Sequence, residues 1–299
     1  MNAKKLLATI VLLAIVVSGL SFIVRNNRQA TESDKLDVVV SYYPLYDFVR
    51  QIGGDKVRAT NLTPAGSEPH DYEPSPSALV GIRKADVFVY NGGMEPWADK
   101  FLDEYRHVAV KTSKGITLLE GDEHGHDPHF WLDPIFAQRI VTNIRDGVIK
   151  ADPSNKAYYT KNAKAYNDKL AGLDKDFVRG LKACRQDTII SSHNAFSYLA
   201  LRYGFTVEAI AGISPEQEPS AARLAELSRI VTEKHIGYVF FESLVSPRLA
   251  DTIAQETGAK TLVFDPIEGL SDEDQKQGKD YLSVQRENLS NLRTALACQ

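Results

Sequence analysis

The sequence predicts an α/β protein of two similar lobes, each with a parallel sheet flanked by helices, joined by one long backbone helix. Three observations carry that expectation. Short apolar runs rich in β-branched residues alternate with stretches of helical spacing, the pattern of parallel strands covered by crossover helices. The chain also resembles itself at a shift of 150 residues: Ser41, Gly54, Val57, Ala59, Glu68, Pro69, Lys84 and Val89 meet identical residues at Ser191, Gly204, Val207, Ala209, Glu218, Pro219, Lys234 and Val239. Chance would give about three such coincidences in about fifty positions. Between the two similar halves lies an unbroken amphipathic run.

Taken in order, residues 1–35 stand apart from the fold. After Lys4 and Lys5, the run Leu6 to Val24 (LLATIVLLAIVVSGLSFIV) carries no charge, and at ~1.5 Å per helical residue it spans a bilayer core of ~30 Å. It is read as an export element, either a signal cut near the small residues Val17-Ser18-Gly19 or an uncleaved anchor through residues 6–24. No cysteine follows it directly, which argues against lipid attachment there. Asn26 to Lys35 (NNRQATESDK) is polar and reads as a tether.

An N-terminal lobe over 36–151 opens with LDVVVS and continues with strands at Arg58 to Leu62, Val87 to Tyr90 and His107 to Val110. Asp133-Pro134 starts a helix over 135–149. The linking helix is expected over 152–182, with Asp152 as N-cap, Pro153 at the first helical position, and Tyr158, Ala165, Tyr166, Leu170, Leu173, Phe177 and Leu181 at helical spacing. The C-terminal lobe, 183–299, carries strands at Thr188 to Ile190, Tyr238 to Phe241 and Thr261 to Phe264. Two cysteines, Cys184 and Cys298, in an oxidising compartment favour one disulfide over a metal pair.

At 299 residues and a net charge of −4, with no sustained Lys/Arg stripe, the chain has the core to fold alone and lacks the cation cluster that nucleic acid needs. A monomer is expected.

In open α/β sheets ligands sit beyond the carboxyl ends of strands, so histidines and acids sort by whether they follow one. His70 does, in the proline-stiffened loop GSEPHDYEPSP. His129 follows the strand at 107–110 and sits on backbone ordered by Trp131 and the helix start at Asp133. His193, in SSHN, directly follows Thr188 to Ile190, and Asp265 and Glu268, in DPIE, follow Thr261 to Phe264. Singly, His70 reads as a surface residue, His193 as a neighbour of a helix cap and Asp265 as a turn cap. Together, His70 and His129 from lobe one and His193 with Asp265 or Glu268 from lobe two face one another across the cleft. Three imidazoles and a carboxylate form a closed tetrahedral set suited to Zn²⁺, whereas Mn²⁺ prefers more oxygen; with no position left for water, storage or transfer is favoured over catalysis. His124 and His126, among Glu120, Asp122, Glu123 and Asp127, read as a mobile, solvated auxiliary metal loop. His107 and His235 read as structural.

The motifs PAGSEPHDYEPSPSAL, NGGMEPW, DPHFWLDP, SSHNAFSYLALRYG, SPEQEPSA and DPIEGLSDEDQKQGKDYLSVQRENLSNL resemble those of the metal-binding receptors that deliver zinc or manganese to ABC importers, from about Leu36 to the C-terminus. The resemblance implies an extracytoplasmic, non-enzymatic solute-binding protein with zinc as cargo and an integral-membrane ABC permease as partner. It implies His70 and His129 as ligands; a histidine at the place of His193 goes with zinc, where glutamate goes with manganese. It favours Glu268 as the fourth ligand, with Asp265 the alternative. A manganese receptor is the alternative within the family, and cell adhesion is compatible with either. The alternative of another class is a zinc-dependent hydrolase, since HGHDPH nearly spells a His-x-His-x-Asp-His signature, with Pro128 where aspartate is needed.

Overall fold

The computed structural model describes residues 35–102, 105, 107–121 and 125–299. The expected export element and His124 lie outside the described residues; no described helix is long and apolar enough to cross a membrane.

The first sheet forms from β1 (Leu36–Val40), β2 (Val57–Asn61), β3 (Val87–Tyr90) and β4 (Val108–Lys111), in the order β2-β1-β3-β4 and parallel throughout. Helices α1 (Tyr43–Gly53), α2 (Pro76–Lys84) and α3 (Ala98–Leu102) connect these strands. The second sheet repeats the plan with β5 (Thr188–Ser191), β6 (Thr206–Ala209), β7 (Tyr238–Phe241) and β8 (Lys260–Val263), in the order β6-β5-β7-β8, again parallel. The inner strands are short and apolar because both faces are covered: every residue of β3 and β5 is buried.

The self-similarity of the sequence is thus a repeat of topology. Its matched glycines follow matched helices: Gly54 ends α1 with φ 50°, and Gly204 ends α6 (Ser197–Tyr203) with φ 79°, a backbone region that favours glycine. Strand β6 was not expected from its residues, TVEA. It is an edge strand, and Glu208 points its carboxylate to Arg223 at 2.9 Å instead of into a core.

Two helices join the sheets. α4 (Pro134–Ala151) is capped by Asp133, whose carboxylate accepts from the Ile135 N–H at 2.8 Å. The long helix α5 runs over Lys156–Gly180, about 37 Å at ~1.5 Å per residue. It begins later than the sequence suggested: a 3₁₀ turn over Pro153–Asn155 precedes α5, and the Asp152 carboxylate before it accepts from the side chains of Asn155 (Nδ2) and Tyr159 (OH). The N-terminal half of α5 bonds to the first lobe, Asn162 to the Ile52 carbonyl and Tyr166 OH to Asp47. Its C-terminal half meets the second, with Phe177 stacked on Tyr203 at 4.9 Å. Beyond α7 (Ala221–Glu233), α8 (Arg248–Thr257) and α9 (Asp272–Lys276), the C-terminal helix α10 (Tyr281–Ala295) packs back on lobe one, where Tyr281 meets Phe48 edge-on at 4.8 Å. One hydrophobic core therefore includes Val38, Phe48, Tyr166, Phe177, Phe264 and Leu292 from both halves. Cys184 and Cys298 are joined, closing the second lobe.

Candidate metal centre

Each candidate donor lies in the segment that leaves the carboxyl end of a strand: His193 and Glu268 shortly after β5 and β8, His70 and His129 farther along the longer connections after β2 and β4. Local chemistry holds each in place. In the His70 loop, the backbone N–H of His70 donates to Glu68 Oε1 at 3.2 Å. His129 opens the 3₁₀ turn Phe130–Leu132, and the buried Trp131 ring lies 5.1 Å from its own. Asp127 Oδ1 accepts from both the His129 backbone N–H (2.9 Å) and Nδ1 (2.8 Å). On the other side, Glu242, directly after β7, accepts the His193 backbone N–H at 3.1 Å, and both its oxygens lie 2.8 Å from His193 Nδ1.

These contacts place the proton of His129 and of His193 on Nδ1, which turns each Nε2 lone pair inward. The lone pairs converge. Nε2 of His70 lies 3.1 Å from that of His129, and Nε2 of His193 lies 3.2 Å from it. Glu268 Oε1 is 3.1 Å from His70 Nε2, 3.2 Å from His129 Nε2 and 3.5 Å from His193 Nε2. All four donor atoms fall within 4.8 Å of one another. A tetrahedral ion with bonds of ~2.0–2.1 Å has edges of about 3.3–3.4 Å, so five of the six separations match such a site closely. Three lone pairs and a carboxylate at this spacing repel unless positive charge lies among them.

Without an ion, protons must supply that charge, and the electrostatics show it. Burial would lower His193, but the charge of Glu242 and then of Glu268 holds it well above the ordinary histidine range. Burial likewise opposes protonation of His129, and the hydrogen bonds of Asp127 and Glu268 outweigh it, so its pKa is raised. Burial would raise Glu268, yet the charge of His193 and the hydrogen bonds from the three histidines hold it well below the carboxylate range. His70 goes the other way, lowered by burial against the pull of Glu268. Burial, then the charge of Glu268, push the neighbouring Glu68 carboxyl up to about 9. The His70 side chain is 9% exposed, whereas those of His129, His193 and Glu268 are at 0–1%.

Asp265, the alternative fourth donor, is buried but outside the four-atom cluster, with Oδ1 accepting from the Ile267 N–H at 2.6 Å. Ile267 has a positive φ of 59°, a conformation that costs a non-glycine residue about 1–3 kcal/mol and is a rare outlier for a β-branched one. His126 is exposed and lies with His70, Asp71, Met94 and Glu216 along a cavity of about 550 Å³ rather than among the four donors. His107 and His235 are exposed and also lie outside the cluster. Two residues of the centre were missed. Asp127, expected in a mobile solvated loop, is instead 1% exposed, because the Pro128-His129 turn carries it into the core. Glu242 follows a strand, as the donors do, and that placement was the available signal.

The sequence matches the family "Zinc-uptake complex component A periplasmic" over residues 38–295. The chain belongs to that family. The high-affinity zinc uptake system protein ZnuA of Bacillus subtilis is 43% identical over 284 residues, 89% of each chain. The zinc-binding lipoprotein AdcA of Streptococcus pneumoniae is 43% identical over 290 residues, 91% of this chain but 58% of its own length, so the chain spans little more than half of that relative. Among solved structures, the Zn(II)-bound ZnuA-like domain of S. pneumoniae AdcA superposes with a TM-score of 0.79 at 44% identity, covering 88% of this chain and 99% of that one. The laminin-binding protein of Streptococcus agalactiae, described as both adhesin and metal transporter, gives 0.81 at 35% identity, over 87% and 99%. The two-sheet architecture is the one this zinc-uptake family shares.

Proposed function

We propose that this chain is an extracytoplasmic receptor that captures one Zn²⁺ between its lobes and delivers it to a membrane ABC permease. The work is binding, and no reaction is catalysed. The observation that carries this reading is the convergence of three Nε2 lone pairs and one carboxylate oxygen at tetrahedral spacing, with two donors from each half of the chain. His70, His129, His193 and Glu268 are the ligands in this reading. Three nitrogens and one oxygen favour zinc over manganese, and a fourth protein donor fills the position a hydrolytic water would need. The zinc-uptake family and its Zn(II)-bound relative support the same cargo. In this reading the chain acts as a monomer, with residues 6–24 as its export signal or membrane anchor.

Elemental analysis of protein purified without added metal tests this, alongside His193→Ala. One equivalent of zinc is expected in the native chain and far less in the variant. Retention of a full equivalent by the variant refutes the ligand set.

A further inference from the structure

We propose that Asp265 is a positioning residue of the metal centre: by holding Ile267 in the left-handed conformation, it aims the Glu268 carboxylate at the three imidazoles. This rests on the receptor reading of the same site. The segment Asp265 to Glu268 leaves β8 under unusual constraint. Ile267 is fully buried, so its side chain cannot move freely, and its φ of 59° is one that a branched Cβ resists. Something must hold it there.

The Asp265 carboxylate does so from within the turn, accepting the Ile267 N–H at 2.6 Å. Asp265 is itself fixed from both sides of its backbone by one buried side chain, Asn288 on α10. Asn288 Oδ1 accepts the Asp265 N–H at 2.9 Å, and its Nδ2 donates to the Asp265 carbonyl at 2.6 Å. The next peptide is tied to the other lobe, since Trp131 Nε1 donates to the Pro266 carbonyl at 2.8 Å. Proline fixes the φ of residue 266. Every backbone group from Asp265 to Ile267 that these bonds engage points the chain one way, and Glu268 leaves it facing His70, His129 and His193. Release of the Asp265 bond lets Ile267 relax to negative φ, which rotates the peptide that carries Glu268 away from the imidazoles.

A direct ligand and a positioning residue differ in what they tolerate. Asp265→Asn keeps an oxygen to accept the Ile267 N–H, yet a neutral amide is a poor zinc ligand. Zinc affinity by chelator competition, and the visible bands of the cobalt-substituted full-length chain, are measured for wild type, D265N, D265A and E268Q. D265N should stay close to wild type, while D265A should bind about 10–100-fold more weakly, the range for lost outer partners, with weakened tetrahedral cobalt bands. A D265A chain too unstable to purify is replaced by Asp265→Leu, which fills the volume without an acceptor. Equal losses in D265N and the acceptor-less variant overturn the proposal, as does an acceptor-less variant with wild-type affinity and bands. Failure of the wild type to bind zinc would instead refute the receptor reading itself, and wild-type affinity in E268Q would refute its ligand set.

Discussion

Replacing Glu242 by glutamine tests how the centre balances metal against protons. The carboxylate is 2% exposed, faces His193 Nδ1 with both oxygens at 2.8 Å, and also takes the His193 backbone N–H. Glutamine keeps the shape and one acceptor but removes the charge. Two effects follow, of opposite sign. The imidazole becomes a poorer donor, and loss of such a partner typically costs 10–100-fold in metal affinity, about 1.4–2.7 kcal/mol. The same charge is also the strongest influence raising the His193 pKa against burial, so the variant's His193 is deprotonated at a lower pH. Zinc competes with a proton for Nε2. Above the wild-type His193 pKa neither protein pays for deprotonation, and the full 10–100-fold gap should appear. Below it, wild type must release a proton that the variant has already lost, and the gap narrows by up to tenfold per pH unit until both are protonated. Chelator-competition titrations at several pH values measure this directly. A gap that stays constant with pH would show that Glu242 acts on affinity without acting on the His193 proton, and would refute the argument.

The empty protein should show its own pH window of stability. His193 and His129 have raised folded pKa values, so their contribution is complete below about 6.5 and is lost as pH rises through the raised values. Glu268 is depressed, so its contribution is present above about 4.3 and is lost as pH falls through the depressed value. Thermal melts of chelator-treated protein should therefore fall as pH rises above about 6.5, with added zinc abolishing that fall; a melt that stays flat from there into the alkaline range counts against the lone-pair account. Reduction, or C184S/C298S, opens a loop with a sequence separation of 114 residues, which the chain-entropy estimate values at about 4–5 kcal/mol. Denaturant unfolding should report a loss of that order with zinc affinity unchanged, because Cys184 precedes β5 whereas His193 follows its carboxyl end; a large affinity loss would show that the second lobe depends on the bridge for its shape.

Much of this was legible from residues because two periodicities coincide. The apolar runs at β1, β3, β5 and β7 are buried on both faces, so composition alone marks them, and the shift of 150 residues pairs strands of equal rank. β6 escaped because an edge strand need bury little, and Glu208 serves a surface ion pair there. The four clustered side chains were legible because each follows a strand. What local sequence does not encode is which of two neighbouring carboxylates turns inward. Asp265 and Glu268 both follow β8, and the difference between them depends on a left-handed Ile267 that no intrinsic preference would suggest. Asp127 was obscured by company: in a tract of acids and histidines its burial depends on the turn that follows it, set by Pro128 and by the packing of Trp131.

In the receptor reading the four ligands are unevenly braced, and that bears on how a closed site can also let go. His129 and His193 are each held by a buried carboxylate from their own half of the chain, and Glu268 hangs from a turn tied to both halves. Their positions are set before any ion arrives, so little ordering entropy is lost on capture. His70 differs: it stands in a loop stiffened by Pro64, Pro69 and Pro74, it is the most exposed of the four, and it alone borders the cavity shared with His126, Asp71 and Glu216. Displacing His70 uncovers one coordination position and leaves the other three donors where they are, whereas displacing His193 would strand the Glu242 carboxylate without its partner in the core, at a cost of several kcal/mol. In the receptor reading, exchange of the ion therefore costs less at His70, the most exposed of the four side chains, than at His193.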